Sequence, residues 1–198
     1  MVADQTTLTD RQAERRRAVL RAALGLALEG GYDEVQMRSV AAEGGVALGT
    51  VYHYFSSKDH LLAEALLEWI EDFATSAEQQ TPPGANDHDR VLAMLEPMTT
   101  AMANAPTLSR ATITGLMSPD PAIGDVQQRI HERWSAALAT AFDDSIDAGR
   151  RSALIRTIEH VWFSGLIGWV NGWQSIDDAI ADLRQAVGLL LESGTSRP

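Results

Sequence analysis

The chain has 198 residues, 45% hydrophobic and 22% charged, a composition that excludes a disordered protein and suits one large domain or a small one joined to a larger. The absence of cysteine excludes disulfides, thiolate chemistry and Cys-ligated zinc, and no apolar run reaches the roughly 18 residues that cross a bilayer. A net charge of −11 argues against a nucleic-acid partner for the chain as a whole.

That charge is unevenly placed. Residues 1–60 carry seven Lys/Arg against eight Asp/Glu, while residues 61–198 carry nine against nineteen. Arg11, Arg15, Arg16, Arg17 and Arg21 fall within eleven positions. A basic start ahead of an acidic body suits contact with an anionic polymer at one end only. A solvated basic helix face fits the same residues. The start, MVADQTTLTD, lacks the basic and apolar regions of a secretory signal, so a cytoplasmic location is expected.

In chain order the pattern is helical nearly throughout, rich in Ala, Leu, Arg and Glu and without period-two β-branched runs. Thr9 can cap a first helix, which Gly30-Gly31 stops. A short second helix fits Arg38 to about Gly44, and a third runs from about Leu48 to Phe55. Ser57 starts a long fourth that must end before the breaker Thr81-Pro-Pro-Gly84. Asp87–Asn104 is helical in pattern with a kinking Pro97 inside it. Helices then fit Thr107–Met117, Ile123–Phe142, Arg150–Trp173 and Ile176–Glu192, the last capped by Ser175. The expected fold is all-α with nine helices, divided at residues 1–60 and 61–198.

Two short helices with a glycine-bearing turn between them describe a helix-turn-helix. Burial of Val40, Ala41, Val51 and Phe55 then sends Gly49, Thr50, Tyr52, His53 and Tyr54 outward. The second helix of such a motif enters the major groove with its N-terminal residues at base edges. Glycine near that end removes a side chain where backbone and duplex come closest. Thr50 and the tyrosine hydroxyls can bond phosphates, Lys58 and Arg38 supply charge, and His53 fits either a DNA contact or solvent beside the groove. The DNA-contact set is therefore Arg15, Arg38, Leu48, Gly49, Thr50, Tyr52, His53, Tyr54 and Lys58.

The run MRSVAAEGGVALGTVYHYFSSKDHLL (Met37–Leu62) carries a resemblance. With its flanks, from about Arg15 to Leu66, it resembles the DNA-binding domain of TetR-family transcriptional regulators in its Gly-Val turn, Gly-Thr-x-Tyr-x-Tyr-Phe and Ser-Lys-Asp-x-Leu. Ala47 departs from the pattern, standing where the family often has a capping serine. The resemblance implies a variable helical body that dimerises through its last two helices and encloses a small-molecule pocket.

The body's own residues agree. Val161–Trp173 is apolar nearly all round, as a helix buried on every side must be. Gly165, Gly168, Trp169 and Gly172, with Leu183, Val187 and Leu190 on the last helix, are expected to meet a second subunit. A monomer with this helix at its centre is the alternative. Trp69, Phe73, Met94, Met98, Met102, Met117, Trp134, Phe142, Trp162 and Phe163 are candidate walls for a hydrophobic effector, since methionine-rich linings adapt to ligand shape. No metal or cofactor is expected.

The stretches VQMRSVA, GTVYHYFSSKDHLLAEAL, NAPTLSRA and HVWFSGLIGWVNGW…LRQAVGLLLESG further resemble the actinobacterial repressors of sterol catabolism within this family. The likeness fades over 70–92 and 118–150. It implies a homodimeric repressor released by a steroid or long acyl-CoA. A regulator of an efflux or detoxification gene, answering an unrelated hydrophobic compound, remains the alternative. An enzyme is opposed by the lack of a Ser/His/Asp set, paired carboxylates or a phosphate-binding loop, with Glu159-His160 an isolated pair. A non-specific architectural DNA binder is opposed by the acidity and the large apolar body.

Overall fold

The computed structural model describes residues 9–79 and 82–192. Residues 1–8, the Gln80-Thr81 step that opens the breaker and the last residues of the closing motif lie outside them. Among the described residues the fold is all-α, with nine helices: α1 (Asp10–Glu34), α2 (Met37–Glu43), α3 (Leu48–Tyr54), α4 (Lys58–Glu78), α5 (Asp87–Asn104), α6 (Pro106–Leu116), α7 (Pro121–Ala139), α8 (Ala148–Asn171) and α9 (Ile176–Glu192).

Local chemistry sets the boundaries. Thr9 and Gln12 form a reciprocal capping box at the start of α1. Gly30-Gly31 produces a kink instead of the expected stop: Gly31 takes φ 73°, and helical residues resume to Glu34. Asn86, Asp120 and Asp147 each accept a backbone N–H at the starts of α5, α7 and α8. Ser175 accepts the N–H of Asp178 at 3.1 Å and so caps α9. Proline falls at the first position of α6 and α7, where its missing N–H has no helical partner to lose.

Two apolar cores result. The smaller joins Val19, Leu20, Ala23 and Ala27 of α1 to Val40 and Ala41 of α2, Val51 of α3, and Phe55, Leu61, Leu62 and Ala65. The larger packs α4, α5, α7, α8 and α9 around Leu67, Met98, Trp134, Leu138 and Ile158. Helix α4 belongs to both: Leu61, Leu62 and Ala65 feed the small core, and Ala63, Leu66, Leu67, Ile70 and Ala74 the large one. The 60/61 division therefore falls at the start of a shared rod.

Helix α6 completes the junction. A Cβ at Gly115 would lie 2.8 Å from the Leu62 Cβ and 3.1 Å from the Asp59 carbonyl oxygen, so only glycine lets α6 seat on the first turn of α4. Asp120 also accepts the Ser57 hydroxyl at 2.8 Å.

Part of the expected subunit-facing stripe is internal to the chain. Leu183 and Val187 are fully buried in the chain's own large core, and Leu190 packs against it. Gly165 lets α9 pack on α8, and Gly168 lets the segment between the two helices fold back on α8. A Cβ at Gly165 would meet the Ala179 Cβ at 3.1 Å, and one at Gly168 would meet Gln174 and Trp173 under 3.0 Å. Gly172 adopts the left-handed conformation (φ 78°) that closes α8. Trp169 is half-buried beside Leu166. Ala153, Thr157 and Ser164 of α8 and Ala181, Gln185 and Leu189 of α9 are exposed, Leu189 at 65%.

Candidate nucleic-acid interface and effector cavity

The helix-turn-helix is α2, the turn Gly44–Ala47 and α3. Gly44 packs close: a Cβ there would lie 3.0 Å from the Val40 carbonyl oxygen and 3.5 Å from that of Ala18. Gly45 takes φ 63°, which favours glycine. Ala47 precedes α3 with no side-chain cap, so the local end is held by packing of Val51 and Phe55, 0% and 1% exposed.

With that side buried, Gly49, Tyr52 and His53 face solvent, Tyr52 at 53% exposure, while Leu48 and Thr50 are half-buried. Nothing in the chain lies within 4 Å of a Cβ built at Gly49. Its helical backbone gives no internal reason for glycine either. Arg15, Arg17, Arg21 and Arg38 are exposed nearby, and the first three line an open groove of about 550 Å³ between α1 and the turn.

Three expected contacts are placed differently. Tyr54 is half-buried, and its hydroxyl donates to the Gln12 carbonyl at 3.3 Å, so it braces α3 on α1. The Lys58 ammonium stands 3.6 Å from the centroid of the Tyr32 ring and donates to the Tyr32 carbonyl at 3.1 Å. That leaves it committed within the chain. Tyr32 donates in turn to Asp59, and burial together with that carboxylate pushes its phenol up to about 12. Leu48 packs partly on the small core.

Sequence reasoning missed the joint between the two cores. Arg16 turns inward over Phe55, 5.5 Å from the ring centroid, and bonds Glu64 of α4. Glu64 also accepts from Arg129 of α7 at 2.6 Å. Burial alone would raise the Glu64 pKa, but bonds from His60 and Arg129 and the charges of Arg16 and Arg129 outweigh it and hold it at about 2. The signal available in sequence was an acidic residue inside the apolar run LLAEALL.

The candidate effector residues separate into groups. Trp134, Trp162 and Phe163, with Ile70, Leu116 and Ile130, line a cavity of about 390 Å³ between α4, α6, α7 and α8, within the ~300–1,000 Å³ usual for small-molecule sites. Trp134 stacks on Trp162 (centroids 5.1 Å apart, planes at 21°) and meets Phe73 at 5.5 Å. Trp69 and Met102 line a separate, smaller cavity of about 160 Å³ with Ala105 and Thr112. Met94, Met98 and Phe142 are closed core, and Met117 is 53% exposed at the end of α6, so these four do not wall either space.

The larger cavity has a polar end that the apolar pattern did not reveal, formed by Gln127, His131, Glu159 and His160. Ser135 donates to Glu159 Oε1 at 2.7 Å. His131 Nδ1 stands 2.8 Å from Oε2, at ion-pair range but without a directed hydrogen bond. Burial pushes the Glu159 pKa above the ordinary carboxylate range, against Ser135 and His131. Among the described residues no group of three or more His, Asp or Glu is placed to hold a metal, and no helix is long and apolar enough to cross a membrane.

The comparisons agree with this geometry. Residues 19–65 match the model of bacterial regulatory proteins of the tetR family, and residues 84–190 match the tetracyclin repressor-like C-terminal domain. The chain is 36% identical over 187 residues to the HTH-type transcriptional repressor KstR of Rhodococcus jostii, covering 94% of this chain and 87% of that protein. A TetR transcriptional regulator from Rhodococcus sp. RHA1 superposes with a TM-score of 0.81 at 28% identity, over 92% of this chain and 98% of the other. Thermus thermophilus FadR, a TetR-family repressor crystallised with lauroyl-CoA, shares the fold at a TM-score of 0.72 and 18% identity, over 92% and 96% of the two chains. The relatives are transcriptional regulators and not enzymes. A tetR-type helix-turn-helix followed by the matching C-terminal domain, in a chain similar over nearly its whole length to KstR repressors, makes this protein a member of the TetR family of DNA-binding transcriptional regulators.

Proposed function

We propose that the protein is a cytoplasmic repressor that binds an operator as a homodimer and leaves it when a hydrophobic effector enters the body. The observation that carries the DNA contact is Gly49, open to solvent on a helix whose aliphatic side is buried. In this reading Gly49, Thr50, Tyr52 and His53 meet base edges and phosphates, while Arg15 and Arg38 hold the duplex backbone. Tyr54 and Lys58 support α3 from behind. The outer faces of α8 and α9, with Ala153, Ser164, Ala181 and Gln185, meet the second subunit.

The proposed effector is a steroid or a long acyl-CoA, seated against the Trp134–Trp162 stack. The resemblance to sterol-catabolism repressors supports this class, as does the apolar wall. The lauroyl-CoA complex of the Thermus thermophilus protein concerns that protein, and likens the two only in fold. Release would follow from differential affinity: α7 lines the cavity and also carries Arg129, so its displacement pulls on Glu64 and, through it, on Arg16 of α1. A regulator answering some other hydrophobic compound would keep the same DNA contacts.

The test is fluorescence anisotropy of labelled operator DNA against random DNA, with Tyr52→Ala and Arg38→Ala beside the unsubstituted protein. Loss of operator preference in Tyr52→Ala supports the docking. Unchanged affinity in both variants overturns it. A panel of steroids, steroid acids and acyl-CoAs, scored by operator release, then tests the effector class.

A further inference from the structure

Among the described residues, two buried side-chain atoms lack a hydrogen-bond partner: Trp134 Nε1 and Glu159 Oε2. Unpartnered buried polar atoms are rare because each forfeits its hydration without replacement. Here both belong to residues lining the same cavity, on the facing helices α7 and α8. One is a donor only. The other, on a carboxylate, is an acceptor.

Their neighbours are occupied. Ser135 satisfies the other carboxylate oxygen, and the second indole of the stack, Trp162, donates to Thr99 at 2.8 Å. The carboxylate end also holds His131, whose Nδ1 stands 2.8 Å from Glu159 Oε2 without a directed hydrogen bond, together with Gln127 and His160; the remaining wall is apolar: Ile70, Leu116, Ile130 and Phe163.

We infer that this end of the cavity is a recognition subsite for a hydroxyl group on an otherwise apolar effector, the hydroxyl donating to Glu159 and accepting from Trp134. The inference rests on the effector reading of this cavity and adds the functional group that the effector must carry inward. A ketone satisfies the indole N–H but offers nothing to the carboxylate. An effector hydroxyl makes both bonds, whereas an ether or a bare hydrocarbon leaves at least one of the two atoms unpaired.

The experiment titrates androstan-3-ol, its 3-methyl ether and androstane into the full-length protein, followed by tryptophan fluorescence and by operator release. The alcohol should bind about tenfold or more tightly than the other two, the size expected when one or two buried hydrogen bonds distinguish ligands. Glu159→Leu should abolish that preference while still binding androstane, and Trp134→Phe should reduce it. Equal affinity for all three compounds overturns the hydroxyl subsite alone. No binding by any of them overturns the effector reading of the cavity together with the subsite. If Glu159→Leu does not fold, the ligand series on the unsubstituted protein decides.

Discussion

The two cores of this protein are finished to different degrees. In the small one, Val51, Phe55, Leu61 and Leu62 are closed against α1, and nearby polar groups such as Glu64, Tyr32 and Lys58 have partners. The large one keeps a cavity of about 390 Å³ and the unpartnered Trp134 and Glu159 atoms. A platform for α3 gains from rigidity, because contacts with a duplex tolerate little misplacement. A chamber that must accept a molecule cannot be filled by its own side chains. On the proposed function, the difference teaches that incomplete packing and unsatisfied polarity, together, mark the place for a small molecule.

That contrast can be tested at graded depth. Truncating the small core should hurt most: Phe55→Ala removes a ring that is 1% exposed, with an expected loss of about 3–5 kcal/mol in urea unfolding and no operator binding. A Trp162→Phe change in the looser body should lose far less and keep DNA affinity, which the same two assays read. Equal losses would erase the distinction between the cores.

The joint comes next. Glu64→Ala strands Arg16 and Arg129, and since both retain partial exposure (26% and 42%) the expected loss is about 2 kcal/mol. The pH dependence has a definite sign. The folded Glu64 pKa is depressed to about 2 from 4.5, so its contribution is complete above about 4.5 and is lost as pH falls toward 2. Unfolding titrated over that window should show a shallower acid slope in Glu64→Ala. An unchanged slope would mean the bridge carries no coupling.

Smaller effects probe the surface. Arg15→Ala should leave unfolding unchanged, weaken operator binding across sequences and flatten the log–log salt slope by about one contact. Tyr54→Phe sits at the small end, with a stability loss of about 0.5–1 kcal/mol from the Gln12 bond and operator affinity nearly unchanged. A large loss of DNA affinity in Tyr54→Phe would return that hydroxyl to the interface.

Much of the small core was legible in the chain because its determinants are local. Spacing alone buries Val51 with Phe55 and turns Gly49, Tyr52 and His53 outward, since α3 is only seven residues long. The Tyr54 bond to α1 was not legible for a tertiary reason: the angle of α1 brings the Gln12 carbonyl within reach. Lys58 likewise looked like free charge until the kink at Gly31 brought Tyr32 beneath it.

The sequence by itself determined the nine helices of the described residues, the caps at Thr9 and Ser175, and the aliphatic side of the helix-turn-helix, because propensity, capping and 3.6-residue periodicity act within a few residues of one another. Only the tertiary structure decided that Leu183 and Val187 close the chain's own core, that Gly165 seats α9 and that Glu64 joins α1 to α7. It also decided which aromatics wall a cavity and which fill it. An apolar stripe records that a face is buried and not by what, and a polar residue in such a run has no partner until distant helices bring one.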